Sequence, residues 1–227
     1  MTFTKAQLPK TLLTECDDII ATAHAMADAA RAVILPYFRA THLGTENKDQ
    51  SGFDPVTLAD REAEKAMRAI LATRRPHDAI FGEEFGKTAG TSGLTWVLDP
   101  IDGTRGFISG TPTWGVLISA MVADGPVFGI VDQPYIQERF VGGLGHSFVN
   151  GPMGMRSLGT SQVATLDQAI IMTTFPEVGT DQEAKGFHSI ASQAKLVRYG
   201  MDCYAYALLA SGQVDLVIEA CLNAYDI

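Results

Sequence analysis

The apolar run Trp96-Val97-Leu98 leads without a break into Asp99-Pro100-Ile101-Asp102-Gly103-Thr104. A buried strand that ends on an acid fixes where that acid must sit. It belongs at the rim of a sheet, because an ionised carboxylate inside a packed core carries a large desolvation cost. Pro100 sets the turn, and the spacing brings Asp99 and Asp102 to one side of it. Gly103-Thr104 then opens a short helix whose first N–H groups lack acceptors within the helix, which suits a phosphate. Asp54-Pro55-Val56-Thr57 and Gly82-Glu83-Glu84 also place carboxylates where strands end, and Tyr225-Asp226-Ile227 closes the sequence. Singly, Asp54 or Glu84 reads as a turn or cap residue. Together, such acids repel one another and raise one another's pKa values unless a cation joins them. Carboxylates, a backbone carbonyl and water are the ligands that hard cations such as Mg²⁺ prefer.

Around these segments the chain alternates helices and strands. Ile19, Ala23, Met26, Ala30 and Tyr37 recur at helical spacing, which predicts a helix from Thr14 to Phe38 with Pro36 bending its last turn. A polar stretch, Thr41 to Gly52, holds Lys48. Thr57 and Asp60 have the spacing of a capping box opening a helix to Thr73, with Ala63, Met67, Ile70 and Leu71 as its apolar stripe. Ala79-Ile80-Phe81 reads as a strand and the glycine-bearing segment Phe85 to Thr95 as a mobile loop. Val116–Val122 and Val127–Val131 form a hairpin, and Arg139–Val141 continues the meander. The Gly-rich stretch Gly142 to Gly159 separates a second half. There strands at Ala169–Thr173, Leu196–Tyr199 and Val214–Glu219 alternate with helices at Asp181–Gln193 and Asp202–Ser211. The alternation predicts α/β layering, with residues 1–155 carrying the acids and 156–227 forming the second half.

The 227 residues include 17 basic and 26 acidic ones, for a net charge of −9. That balance excludes nonspecific nucleic-acid or anionic-membrane binding. An anionic small substrate stays open, because bound metal reverses the local field. Cys16, Cys203 and Cys221 show no C-x-x-C spacing and read as small, buried, reduced thiols. The longest apolar runs fall short of a membrane span, and Met1-Thr2-Phe3-Thr4-Lys5 lacks a signal-peptide core. A cytoplasmic protein without membrane partners is expected.

Trp96-Val97-Leu98-Asp99-Pro100-Ile101-Asp102-Gly103-Thr104, with Gly82-Glu83-Glu84 and Asp54-Pro55-Val56-Thr57-x-x-Asp60 upstream, resembles the inositol monophosphatase superfamily. Asp102–Ile108 and Tyr199–Tyr206 look most like its histidinol-phosphatase branch. The resemblance implies a layered α-β-α-β-α sugar-phosphatase fold and a phosphomonoesterase that uses two or three Mg²⁺ ions on a small phosphorylated alcohol. It implies Glu83, Asp99, Asp102, Asp226 and the Ile101 carbonyl as metal ligands, and Gly103 and Thr104 as the phosphate site. Thr104 paired with Asp54 would orient or deprotonate the attacking water, with Glu83 counted among the catalytic residues. Lys48 matches a family lysine near the metals, or is a solvated loop residue. Homodimers are common in the family. The resemblance also implies that the chain stops at Ile227 short of the family's usual end.

Asp202 and Glu219 match positions that shape the alcohol pocket. An acid at Asp202 suits a cationic amine such as that of histidinol and does little for a neutral polyol. Asp202 also fits the N-cap of the following helix, and Glu219 could simply be exposed at a strand end. Arg105 either touches substrate, screens the acids or forms a salt bridge. Inositol monophosphate and 3′-phosphoadenosine phosphates are the competing substrates, and a metal-binding protein with weak turnover is the competing class.

Overall fold

The computed structural model describes residues 9–10, 12–40, 45–47, 55–177 and 179–226. Asp54 and Lys48 lie outside them. Helix α1 spans Cys16–Ile34, and its buried stripe includes Ile19, Ala23, Met26, Ala30 and Ile34. It ends earlier than the expected Phe38, because Pro36 has no N–H to continue the ladder and disfavours helical backbone before it. Leu35–Arg39 instead turns back, and Phe38 packs against the rings of Phe107, Trp114 and Tyr135.

Strands β1 (Thr45–Asn47) and β2 (Pro55–Thr57) pair antiparallel. Helix α2 (Leu58–Arg74) begins directly after Thr57 and buries Ala59, Ala63, Met67 and Leu71. Strands β3 (Ala79–Gly82), β4 (Gly86–Thr88) and β5 (Thr95–Asp102) follow. After the six-residue helix α3 (Thr104–Ser109) come β6 (Gly115–Val122), β7 (Gly125–Gln133), β8 (Glu138–Gly143), β9 (His146–Gly151) and β10 (Gly154–Ser157). These make one sheet of order β10-β9-β8-β7-β6-β5-β3-β4, in which β3–β5 is the parallel pair and the other pairs are antiparallel. Two expectations are corrected. The segment Phe85–Thr95 contains β4, an edge strand hydrogen-bonded to β3, and the Gly-rich stretch from Gly142 carries β9 and β10, which extend the meander.

The second sheet has order β12-β11-β13, with β11 (Ile170–Thr173), β12 (Leu196–Tyr199) and β13 (Leu216–Val217) all parallel. Strand β13 is shorter than the expected Val214–Glu219. Helices α4 (Asp181–Ala191) and α5 (Asp202–Ala210) make its crossovers. Thr180 and Glu183 form a capping box at the start of α4.

Alternate residues face opposite layers. On β5 and β6, Trp96, Leu98, Val116, Ile118 and Ala120 join the core shared with α1 and α2. On the other face, Phe140 and Val149 meet Ala207 of α5. Helix α5 then packs Ala205 against Met172 of β11, whereas Ile171 turns towards Phe187 of α4. The result is the α-β-α-β-α layering. Helix α5 is apolar on two sides because it lies between two sheets. Among the described residues no helix is long and apolar enough to cross a membrane. Cys16 and Cys203 are buried, but Cys221 is exposed, contrary to expectation.

A buried polar triad ties the end of α2 to β5. The Arg75 guanidinium donates to both carboxylate oxygens of Asp78, at 2.7 and 3.3 Å, and Trp96 Nε1 donates to Asp78 Oδ2 at 2.9 Å. Asp78→Ala strands a buried indole N–H and takes from Arg75 its buried carboxylate, leaving the guanidinium Glu15 and Asp18 at its more exposed edge, and costs about 3 kcal/mol. For a chain of this size that lowers Tm by roughly 6–12 °C in thermal unfolding followed by circular dichroism.

Candidate active site

The site starts from an irregularity in β5. Its pairing with β6 runs to Asp99↔Leu117 and resumes at Asp102↔Gly115, so β5 carries one extra residue there. Pro100, which cannot donate to a ladder, sits in this bulge. Without it, strand alternation would place Asp99 and Asp102 on opposite faces. With it, Ile101 joins the core with Leu98, and both carboxylates turn to the face covered by α5. There the backbone N–H of Cys203, in the first turn of α5, donates to Asp102 Oδ2 at 2.7 Å.

Glu83 follows β3, whose parallel pairing with β5 brings Gly82 level with Leu98, so both strands deliver acids at the same end. The turn is held by Glu64 of α2. This buried carboxylate accepts from the backbone N–H groups of Glu84 at 2.7 Å and Phe85 at 3.3 Å, and from Arg68 Nε at 2.7 Å. Gly82 permits it, since a Cβ there would lie 2.0 Å from Glu64 Oε1. Asp226 is fixed by its own turn, in which Asn223 N–H donates to Asp226 Oδ2 at 2.6 Å. The neighbouring Tyr225 ring packs on Phe81.

These elements bring single oxygens of Asp99, Asp102 and Asp226 within 4.8 Å of one another. Asp60, Glu83 and Glu84 form a second such group. Burial pushes Asp99 well above the usual carboxylate range, and the charges of Glu83, Asp102, Asp60 and Asp226 add to the rise. Burial likewise pushes Asp102 up to about 7, opposed by the Cys203 N–H and reinforced by Asp202 and Asp226. Asp226 is also raised by burial.

One observation tests whether a cation fits. Asp99 Oδ1 is buried and has no hydrogen-bond partner among the described residues. Such an atom costs free energy unless something positive reaches it. Both groups consist of carboxylates alone, a donor set suited to Mg²⁺, Mn²⁺ or Ca²⁺ rather than to softer metals.

Glu83, Asp99, Ile101 and Asp102 line one side of a cleft of about 380 Å³, and Gly103, Thr104, Arg105, Asp202 and Asp226 line the rest. Gly103 adopts φ 82° as the N-cap of α3, and a Cβ there would lie 2.7 Å from Asp202 Cβ, so glycine is required twice over. The Thr104 hydroxyl donates to the Ile101 carbonyl at 3.3 Å. An adjoining pocket of about 350 Å³ shares Asp102, Arg105, Asp202 and Asp226 and adds Glu219, Thr174 and Tyr206. The Arg105 guanidinium stacks 4.9 Å from the Phe175 ring.

Asp202 does not cap α5. That position belongs to Met201, and Asp202 Oδ2 instead accepts from Thr113 Oγ1 at 2.9 Å, over the glycines of α3. Its φ of 46° is strained for a side-chain-bearing residue, although aspartate is among the types that tolerate it. Burial raises its pKa, with Thr113 and Arg105 opposing. Glu219 is half-buried: Thr174 donates to its Oε1 through N–H at 2.7 Å and hydroxyl at 2.8 Å. Burial raises it and these donors lower it.

Of the acids that the resemblance implies as ligands, Asp99, Asp102 and Asp226 come together and Glu83 stands with Asp60 and Glu84; Asp54 lies outside the described residues. Sequence reasoning treated Asp60 chiefly as a capping acid and did not group it with Glu83 and Glu84. The motif Asp54-Pro55-Val56-Thr57-x-x-Asp60 held that signal. Thr113, Thr174 and Phe175 stand in no motif, and only folding brings them here.

Residues 15–227 match the inositol monophosphatase family. The chain is 42% identical over 216 residues to the chloroplastic bifunctional phosphatase IMPL2 of Arabidopsis thaliana, covering 94% of this chain and 60% of that protein. It is 36% identical to the histidinol-phosphatase of Streptomyces coelicolor, covering 92% and 80%. It matches the solved structure of an inositol monophosphatase from Zymomonas mobilis with TM-score 0.80 and 42% identity, covering 93% of this chain and 79% of that one. The family and these relatives support a phosphoric monoester hydrolase. With its match running through the layered fold and the acidic cleft alike, the chain belongs to the inositol monophosphatase family.

Proposed function

We propose that the chain is a Mg²⁺-dependent phosphomonoesterase whose preferred substrate is the phosphate ester of a cationic amino alcohol, histidinol phosphate being the leading candidate. The observation that carries this reading is the meeting of Asp99, Asp102 and Asp226 in a cleft that adjoins a pocket flanked by Asp202 and Glu219. Glu83, Asp99, Asp102, Asp226 and the Ile101 carbonyl hold two or three ions. Bound Mg²⁺ supplies neutralisation of the phosphate and a more acidic water. Gly103 and the first turn of α3 present N–H groups to the phosphate. Thr104 orients or deprotonates the attacking water, a role that the family resemblance assigns to it together with Asp54. Asp202 and Glu219 face the leaving alcohol and attract an ammonium group.

A second reading has its own support: the Zymomonas mobilis structure is named an inositol monophosphatase, at 42% identity. A neutral polyol gains little from two carboxylates, so charge on the alcohol separates the two. Phosphate release from histidinol phosphate is expected to exceed that from inositol 1-phosphate in kcat/KM and to vanish with EDTA. The reverse preference would reject the amine reading. Asp202→Asn keeps a side chain suited to left-handed backbone while removing the charge. It is expected to lower kcat/KM for histidinol phosphate about tenfold or more, the equivalent of a charge-assisted hydrogen bond, and to leave inositol 1-phosphate within about twofold, the scale of an uncharged contact at most.

The raised carboxylates also set a pH dependence. Asp102 titrates higher in the fold than in the unfolded chain, so the metal-free protein binds more protons when folded. That stability is fully present below the ordinary carboxylate range and is lost as pH rises towards about 7. Mg²⁺ binds the deprotonated form, so its increment in Tm grows across the same window. Asp99→Asn is expected to raise the metal-free Tm at pH 8 while cutting kcat by orders of magnitude. A lower Tm together with retained activity would count against the site.

A further inference from the structure

In the small sheet α4 leads from β11 to β12 on one side, and α5 then carries the chain from β12 back past β11 to β13 on the other, so the strand order diverges about β11. Open parallel sheets hold ligands beyond the carboxyl ends of their strands at such a divergence. Thr174, Phe175 and Glu219 lie just past the ends of β11 and β13. Two cavities meet there. One is the pocket assigned above to the alcohol. The other, of about 210 Å³, opens towards α4 among Pro176, Phe187, Ile190 and Ile218, and shares Phe175, Glu219 and Ala220 with the first.

Gly186 forms part of the wall of this second cavity. It sits inside α4, where glycine is the poorest choice after proline. Its backbone is not left-handed, and a Cβ there would meet nothing within 4 Å. Gly186 is exposed, and neither conformation nor close packing requires a glycine there; a side chain at this position would narrow the cavity that it lines. A void with an apolar lining forfeits packing contacts and is rarely kept without use. Largely apolar walls with a few polar groups are the usual make-up of a small-molecule subsite, and Thr173, Glu183 and Glu219 are the polar residues lining this one. Glu183 is engaged by Thr180 in the capping box of α4, whereas Glu219, whose Oε1 is held by Thr174, lies where the two cavities meet.

We propose that this cavity is a subsite for a flat, largely apolar ring on the substrate's alcohol. The ring lies among Phe175, Phe187 and Ile190, and a ring N–H reaches Glu219 at the boundary of the two cavities. The proposal rests on the reading that the adjoining pocket holds the leaving alcohol.

The test compares ring-bearing with ringless esters, with and without an amine: 2-phenylethyl phosphate against ethyl phosphate, and histidinol phosphate against 2-aminoethyl phosphate. Gly186→Leu and Ile190→Phe fill the cavity from successive turns of α4, one at an exposed and one at a partly buried position, so one variant covers failure of the other to fold. Each is expected to lower the ring-to-ringless ratio of kcat/KM at least tenfold in both pairs, chiefly through KM. Gly186→Leu is also expected to keep or raise Tm. A folded variant with an unchanged ratio overturns the subsite. Should the wild-type enzyme favour neither amine ester over its neutral counterpart, the amine reading fails, and the phenylethyl-to-ethyl ratio still decides the subsite.

Discussion

Mutual repulsion among buried carboxylates is the constraint on which this structure depends. Asp99, Asp102 and Asp226 approach within 4.8 Å, with Glu83 beside them, and burial removes the water that would otherwise separate their charges. Left alone, such a cluster protonates or pushes the fold apart. Rigid local devices hold it in place: the bulge at Pro100, the Glu64 carboxylate under the Glu83 turn, and the Cys203 N–H on Asp102. Each comes from a different layer, so the cluster is also where the layers are tied together. A cation converts the same repulsion into cohesion.

The second sheet addresses a separate problem. Asp99 and Asp102 belong to the large sheet, whereas Asp202 belongs to α5 and Glu219 lies just past β13. Each of the latter two is oriented by a threonine, Thr113 or Thr174. Asp202 holds a strained backbone angle directly over Gly103 and Gly106, which have no side chains to keep it away. Under the proposed function, phosphate chemistry and alcohol choice lie on different layers that meet at α3. Gly106, inside the short helix, admits Thr113 and Asp202 at close range.

Much of this was legible in the sequence because it is local. The apolar run ending at Asp99, the Gly-Glu-Glu turn and the alternation of elements all announce themselves within a few residues. The boundaries that moved did so for nonlocal reasons. Strands β9 and β10 pair within a meander that overrides their glycines, and β4 exists because β3 offers it a partner. That Asp99 and Asp102 share a side was legible in the Asp-Pro-Ile-Asp spacing, but as a turn; that the strand continues to Asp102 and does this through a bulge needs the register with β6. Thr174 and Gly186 carry no sequence signal, because their roles depend on Glu219 and on a cavity that exists only after folding.

The net charge of −9 is therefore partly functional, concentrated where cations can neutralise it. Mn²⁺ shares the oxygen ligands of Mg²⁺ and scatters anomalously, so it reports the site directly. An anomalous difference map from crystals soaked in Mn²⁺ is expected to show its strongest peak in coordination contact with both Asp99 and Asp102. A map with no peak at these carboxylates, under soaking that places Mn²⁺ elsewhere on the protein, would contradict the account.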